Sequence, residues 1–238
     1  MYPAAKRAKL AFSCFISSED QHRHVMEPKK VLIFGHSHTF RLGKVINFLE
    51  KGNKPNAHFK QDRKTIRIEH FGIGGLHIND LIDNRGKNKC YKKFDKKLRS
   101  FVPDVVLLMV GCNDIDNDTT SEQISTQMQL AASTIKDRYP FIAKIAFTQL
   151  LPRLENRWVN NKIYNDQAQE INKALLAWAT SCSYAYFHHY NKRFPFPKNP
   201  ADLPKLKKLF SADGVHLNRS GYIQLYKSII SFFIVINK

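Results

Sequence analysis

The sequence predicts an α/β fold, a five-stranded parallel sheet covered by helices on both faces. Two observations carry this. Short apolar runs alternate with longer stretches of helical periodicity, and the interior runs are apolar at consecutive positions, so neither of their faces meets water. The chain has 238 residues, 43% of them hydrophobic, enough for one domain with a substantial core.

Val31-Leu32-Ile33-Phe34 is a short, fully apolar strand ending in glycine. Thr65 to His70 alternates and reads as a more exposed strand. Val105 to Val110 is a second continuous apolar run, and Ile142 to Phe147 with Tyr184 to Phe187 complete the five. Helical stretches fall over roughly 39–51, 77–99 in pieces, 121–137, 160–180 and 219–236. The segment Asn191 to Asp213 is rich in Pro and Lys and reads as a loop. The longest apolar run, Ile229 to Ile236, falls short of the ~20 residues that span a bilayer and reads as the buried end of the last helix.

Residues 1–28 read as a flexible basic leader ahead of a domain over 29–238. Lys6-Arg7-Ala8-Lys9 fits a short nuclear localisation pattern, one that also arises often by chance, so an intracellular setting is expected and a nuclear one is one reading of it. Secretion is the weaker reading: the apolar stretch Leu10 to Ile16 is short, carries a serine and is followed by no A-x-A-like site. Four cysteines without a CxxC pair argue against a disulfide framework or a zinc site and suit a reducing compartment.

The net charge is +18, and residues 41–100 alone hold 16 Lys/Arg against 6 Asp/Glu. Such a field favours anionic partners, so nonspecific nucleic acid bound through residues 41–100 is one expectation. A cationic surface with no ligand is the plainer alternative. No aromatic residues interleave with the basic ones as in an RNA-binding motif.

Five residues carry the chemistry. In a doubly wound sheet, sites form outside the carboxyl ends of the strands. Ser37, Gly75 and Asn113 each follow a predicted strand by a few residues, and Asp213 and His216 precede the last helix. Ser37 alone also suits a helix N-cap, Gly75 a flexible turn, and Asn113 and Asp213-Gly214 turns. Taken together, the set supplies a nucleophile (Ser37), a base (His216), the carboxylate that orients the base (Asp213), and oxyanion donors from the Ser37 N–H, the Gly75 N–H and the Asn113 amide.

The blocks Gly35-His36-Ser37-His38, Gly72-Ile73-Gly74-Gly75, Gly111-Cys112-Asn113-Asp114 and Asp213-Gly214-Val215-His216, in this order, resemble the SGNH hydrolase superfamily, the GDSL esterase/lipase group. The resemblance covers residues 30–236. It implies a flavodoxin-like three-layer α/β/α sandwich and metal-free hydrolysis of esters, with Ser37, Asp213 and His216 as triad. It also implies an oxyanion hole of Ser37, Gly75 and Asn113, and no cofactor. Where His36 stands the family usually has Asp, a supporting residue, so the exchange removes a negative charge beside the nucleophile. Thr148 to Arg153 and Tyr164-Asn165 resemble a Gly-His-Ser subgroup found in invertebrate and fish genomes and in some retrotransposons.

The expected function is a serine esterase acting on a small ester, a short acyl or acetyl group before a long lipid. The alternative is a catalytically weak SGNH domain of a mobile element that binds nucleic acid. His36, His38, His77 and Asp114 invite a metal reading, but no HExxH or comparable close pair occurs. His188-His189 reads as structural or solvated.

Overall fold

The computed structural model describes residues 28–51, 66–82, 88–116, 118–155, 159–190, 193–197 and 199–236. Residues 1–27 of the expected leader, with Lys6 to Lys9, and Thr65 lie outside these residues. Five strands form one sheet: β1 (Lys29–Gly35), β2 (Ile66–Gly72), β3 (Val105–Met109), β4 (Lys144–Thr148) and β5 (Ala185–His188). All pairings are parallel, in the order β2-β1-β3-β4-β5. The chain runs outward from β1 to β2, then crosses back over β1 to start β3. That reversal leaves a crevice beyond the carboxyl ends of β1 and β3.

Alternation within the strands divides the core. Leu32, Phe34, Val106 and Leu108 face one layer, made by α2 (Lys89–Phe101), α3 (Ser121–Arg138) and α4 (Asn161–Ser181). Val31, Ile33, Val105, Leu107 and Met109 face the other, made by α1 (Ser37–Lys51), α5 (Leu203–Lys207) and α6 (Arg219–Ile236). Val31 to Phe34 are at most 1% exposed, so each such side chain contributes about 1.5–3 kcal/mol of burial. The three-layer sandwich expected from sequence is the observed one.

The helix starts have local causes. Asn88 caps α2 by accepting from the N–H groups of Cys90 and Tyr91 at 2.8 and 3.1 Å. Thr120 and Gln123 form a reciprocal capping box on α3. Asn160 caps α4.

Several boundaries differ from the sequence reading. The first helix starts at Ser37, two residues earlier than expected. β4 starts two residues later than its apolar run, because Ile142 is buried in a turn closed by its N–H on the Tyr139 carbonyl. The 191–213 segment is not only loop: Pro204 opens the short α5, which buries Leu206. At the far end of α6, Phe232 and Phe233 are buried while Ile234 and Val235 are about half exposed, since they fall on the opposite side of the helix. No helix among the described residues is long and apolar enough to cross a membrane.

Candidate active site

Ser37 follows β1 directly and is the first residue of α1. Its backbone N–H therefore belongs to the turn whose N–H groups have no intrahelical acceptor. Gly35 must be glycine, because a Cβ there would lie 2.3 Å from the Met109 carbonyl oxygen of β3. That close approach seats the β1–α1 turn against the β3 loop, and His36 N–H donates to the same carbonyl at 3.1 Å.

His216 reaches Ser37 across the cleft. Its loop is closed by Ser211 N–H on the His216 carbonyl at 2.7 Å and by a bridge between Phe210 and Leu217. Asn218 fastens it to α6, donating to the Lys208 and Phe210 carbonyls and accepting from Gly221 N–H. Asp213 Oδ2 takes the hydrogen bond of His216 Nδ1 at 2.7 Å, and Oδ1 accepts from the N–H groups of Val215 and His216 at 3.0 and 2.8 Å. Desolvation works to raise the Asp213 pKa. The bonds from the His216 ring and the two backbone N–H groups outweigh it and hold the carboxyl down to about 2. A carboxylate on Nδ1 fixes the tautomer with its lone pair on Nε2, which lies 3.0 Å from Ser37 Oγ.

Gly75 adopts φ +70°, a conformation that disfavours any Cβ, and the space around it is open. Its loop is tied to the next one by Asp114, whose Oδ1 accepts from Ile78 N–H at 3.0 Å and from His77 Nδ1 at 3.3 Å. Burial raises the Asp114 pKa against these bonds. Asn113 Nδ2 donates to the Leu76 carbonyl at 3.1 Å. Ser37, Gly75, Asn113, Asp213 and His216, drawn from four separate blocks, thus line one cleft of about 620 Å³ together with His77 and Arg153.

His36, in the position where the family usually has Asp, is buried and makes a cross-loop contact. Nδ1 accepts from His38 N–H at 3.3 Å, which leaves Nε2–H to donate to Cys112 Sγ at 3.0 Å. Burial, with the Arg153 and His216 charges nearby, lowers its pKa to about 3, so the ring is neutral. Burial also keeps the His38 pKa well below its ordinary value, with Nδ1 at 3.1 Å from the Tyr222 hydroxyl of α6. His188 is buried against Ser228 and its pKa falls to about 4 for the same reason, which fits a structural role. The histidines suggested as a metal cluster fall into separate pairs, His36 with His38 and His77 with Asp114. Among the described residues, no group of three His, Cys, Asp or Glu is placed to hold a metal.

Within 41–100, α2 exposes Lys89, Lys92, Lys93 and Lys96, while Lys97 pairs with Glu69 and Arg99 with Asp95. Much of the remaining charge lies outside the described residues. Sequence reasoning assigned no role to Arg153, Cys112, Asn165 or Asn172. The signal available was position: Pro152-Arg153 follows β4 just as the other site residues follow β1, β2 and β3.

A parallel sheet with a serine, a histidine and an aspartate joined by hydrogen bonds at its switch point defines a class of hydrolase. The chain belongs to the GDSL-like lipase/acylhydrolase family, whose pattern it matches over residues 31–229, and it is a serine hydrolase acting on esters. No curated protein matches it by sequence. Solved structures share the fold. One is a GDSL-like lipase from Bacteroides thetaiotaomicron, 20% identical, TM-score 0.59, covering 87% of this chain and 89% of that one. Another is a family 3 carbohydrate esterase from Clostridium thermocellum, 17% identical, TM-score 0.57, covering 89% and 100%. A third is an acetylxylan esterase from Geobacillus stearothermophilus, 16% identical, TM-score 0.55, covering 86% and 94%.

Proposed function

We propose that the protein is a serine esterase that removes a short acyl group from a polar alcohol. The carrying observation is the hydrogen-bonded chain from Asp213 through His216 to Ser37 Oγ at 2.7 and 3.0 Å, opening on the cleft. Ser37 Oγ attacks the ester carbonyl as its proton passes to His216 Nε2. Asp213 stabilises the imidazolium that forms without taking its proton. Negative charge develops on the carbonyl oxygen, and the N–H groups of Ser37 and Gly75 and the Asn113 amide are its donors. His216 then protonates the leaving alkoxide. The acyl-enzyme is cleared by a water that the same ring activates.

The lining supports a short acyl group. Beside the five site residues its side chains are those of His38, His77, Asp116 and Arg153, with Ile115 and Val215 as the two aliphatic ones, too few to line a track for a long chain. A long lipid tail needs an apolar track. The acetylxylan esterase among the similar folds suits the same reading. The test is a fluorophosphonate label together with p-nitrophenyl esters of increasing acyl length. The expected result is labelling at Ser37 and kcat/KM falling from acetate to decanoate. Labelling that persists in Ser37→Ala moves the nucleophile elsewhere, and a preference for decanoate overturns the short-acyl reading.

A further inference from the structure

Arg153 is one of the cleft residues that the triad and oxyanion assignments leave without a task. The segment that carries it leaves β4 and is pinned twice to α4. Asn172 accepts from Leu150 N–H at 2.8 Å and donates to the Leu150 carbonyl at 3.3 Å. Asn165 does the same to Arg153, at 3.0 and 3.0 Å. Seven helical residues rise about 10.5 Å and three extended residues span about 10 Å. Two asparagines two turns apart on one helix face therefore fit two main-chain sites three residues apart. This pairing gives Arg153 a fixed backbone.

Its side chain is fixed as well. The guanidinium lies 4.4 Å from the centre of the Tyr164 ring. Its Nη2 donates to the Cys112 carbonyl at 3.0 Å and to Asn113 Oδ1 at 3.5 Å. No carboxylate among the described residues pairs with it. His36 beside it is neutral, so its charge is not cancelled there.

An asparagine amide can occupy its site in two orientations, with O and N exchanged, and only one points N–H groups at an oxyanion. In the orientation observed, Oδ1 receives Arg153 Nη2 and the Cys112 thiol, the latter at 3.7 Å, while Nδ2 spends one N–H on the Leu76 carbonyl. Among the described residues nothing takes the second N–H, and Asn113 lines the cleft. Arginine has donors only. A flipped amide would turn its NH₂ against the guanidinium and its oxygen against the Leu76 carbonyl, two repulsive contacts.

We propose that Arg153 is a positioning residue that locks the Asn113 amide with Nδ2 toward the oxyanion and strengthens it as a donor by bonding its oxygen. This rests on the oxyanion role given to Asn113 above. Tyr164, Asn165 and Asn172 then form the frame that holds Arg153 in place.

The experiment measures p-nitrophenyl acetate turnover for Arg153→Met, Asn113→Ala and the double variant, and follows the Asn113 side-chain amide by ¹⁵N NMR. Arg153→Met should lower kcat by about 10²-fold with KM nearly unchanged. That loss should vanish on the Asn113→Ala background, and the Asn113 NH₂ resonances should shift and exchange faster. A parent-like kcat in Arg153→Met overturns the proposal, as do losses that multiply in the double variant. If Arg153→Met does not fold, Arg153→Lys carries the same test, because it keeps the charge but not the planar fork. Its loss of kcat must again disappear on Asn113→Ala. If the parent chain turns over no ester, the esterase reading falls separately. The NMR arm still decides, since unchanged Asn113 resonances in Arg153→Met remove the positioning role.

Discussion

His216 Nε2 lies 3.0 Å from Ser37 Oγ although 179 residues separate the two along the chain. The sheet places Ser37 at the carboxyl end of β1, and the Ser211–His216 closure brings the other partner over it. In the proposed mechanism the two act as a unit, so losing either member removes the activation of the nucleophile. Ser37→Ala and His216→Ala should each lower kcat for p-nitrophenyl acetate by roughly 10⁴-fold or more, and Ser37→Ala should abolish fluorophosphonate labelling. His36→Asn should cost far less, because His36 touches the Cys112 thiol and neither Ser37 Oγ nor the His216 ring. Equal damage from His36→Asn and His216→Ala would place His36 in the proton path and undo the assignment.

In the proposed mechanism Asn113 presents its amide to a charge that exists only in the tetrahedral transition state and intermediate. Asn113→Ala should therefore lower kcat by about 10²–10³-fold and leave KM close to the parent value. A rise in KM at constant kcat would instead mean that Asn113 serves to bind the ground state. Steady-state kinetics over a substrate range that brackets KM separates the two.

Three buried histidines predict how stability depends on pH. The unfolded ring titrates near 6.5, whereas the folded values fall to about 3 for His36 and about 4 for His188, and His38 is also lowered. Between these values the unfolded chain binds more protons than the native one. The contribution is thus fully present above about pH 6.5 and is lost as the pH falls toward the folded values. Asp213, held at about 2, adds a further loss only below the ordinary carboxylate range. Asp114, whose pKa burial raises, works in the opposite direction and offsets part of this loss; with three rings against one carboxyl, the midpoint of thermal unfolding should still decline from pH 7 to pH 4.5. His188→Gln, which cannot take up the proton, should flatten that decline. A profile that stays level to pH 4.5 would contradict the buried neutral rings.

Much of this was readable before folding, for a physical reason. A parallel sheet fixes where its strand ends lie, so Ser37, Gly75 and Asn113 could be assigned to one edge from the strand pattern alone. Asp213 and His216 read as a turn when taken alone and became candidates only together with Ser37, Gly75 and Asn113 in that order. Residues whose work depends on contacts across the sequence were not. Arg153 meets Asn113 from 40 positions away, and no periodicity encodes that meeting. The neutrality of His36 comes from burial and from Arg153, which the sequence does not display. The start of α1 at Ser37 was missed because His36 lacks the short oxygen-bearing side chain that usually marks an N-cap. The short α5 was hidden in a segment rich in Pro and Lys, where Leu206 is the buried residue that anchors it.

Asn172 offers a test of the frame that is independent of chemistry. It is 8% exposed, and both ends of its amide bond the Leu150 backbone. Asn172→Ala would leave a buried N–H and a buried carbonyl without partners, and each such group costs about 1–3 kcal/mol. Urea unfolding should show a drop of about 2–6 kcal/mol for the two groups together, with an unchanged slope on denaturant, since the same surface is exposed. Activity per folded molecule should fall only modestly, because Asn165 still holds Arg153 directly. Asn165→Ala should show the opposite balance, a similar loss of stability and a larger loss of kcat, since its bonds are to Arg153 itself. If both variants lowered kcat equally at equal stability, the two asparagines would act as one staple, and the separate role of Asn165 in seating Arg153 would be discarded.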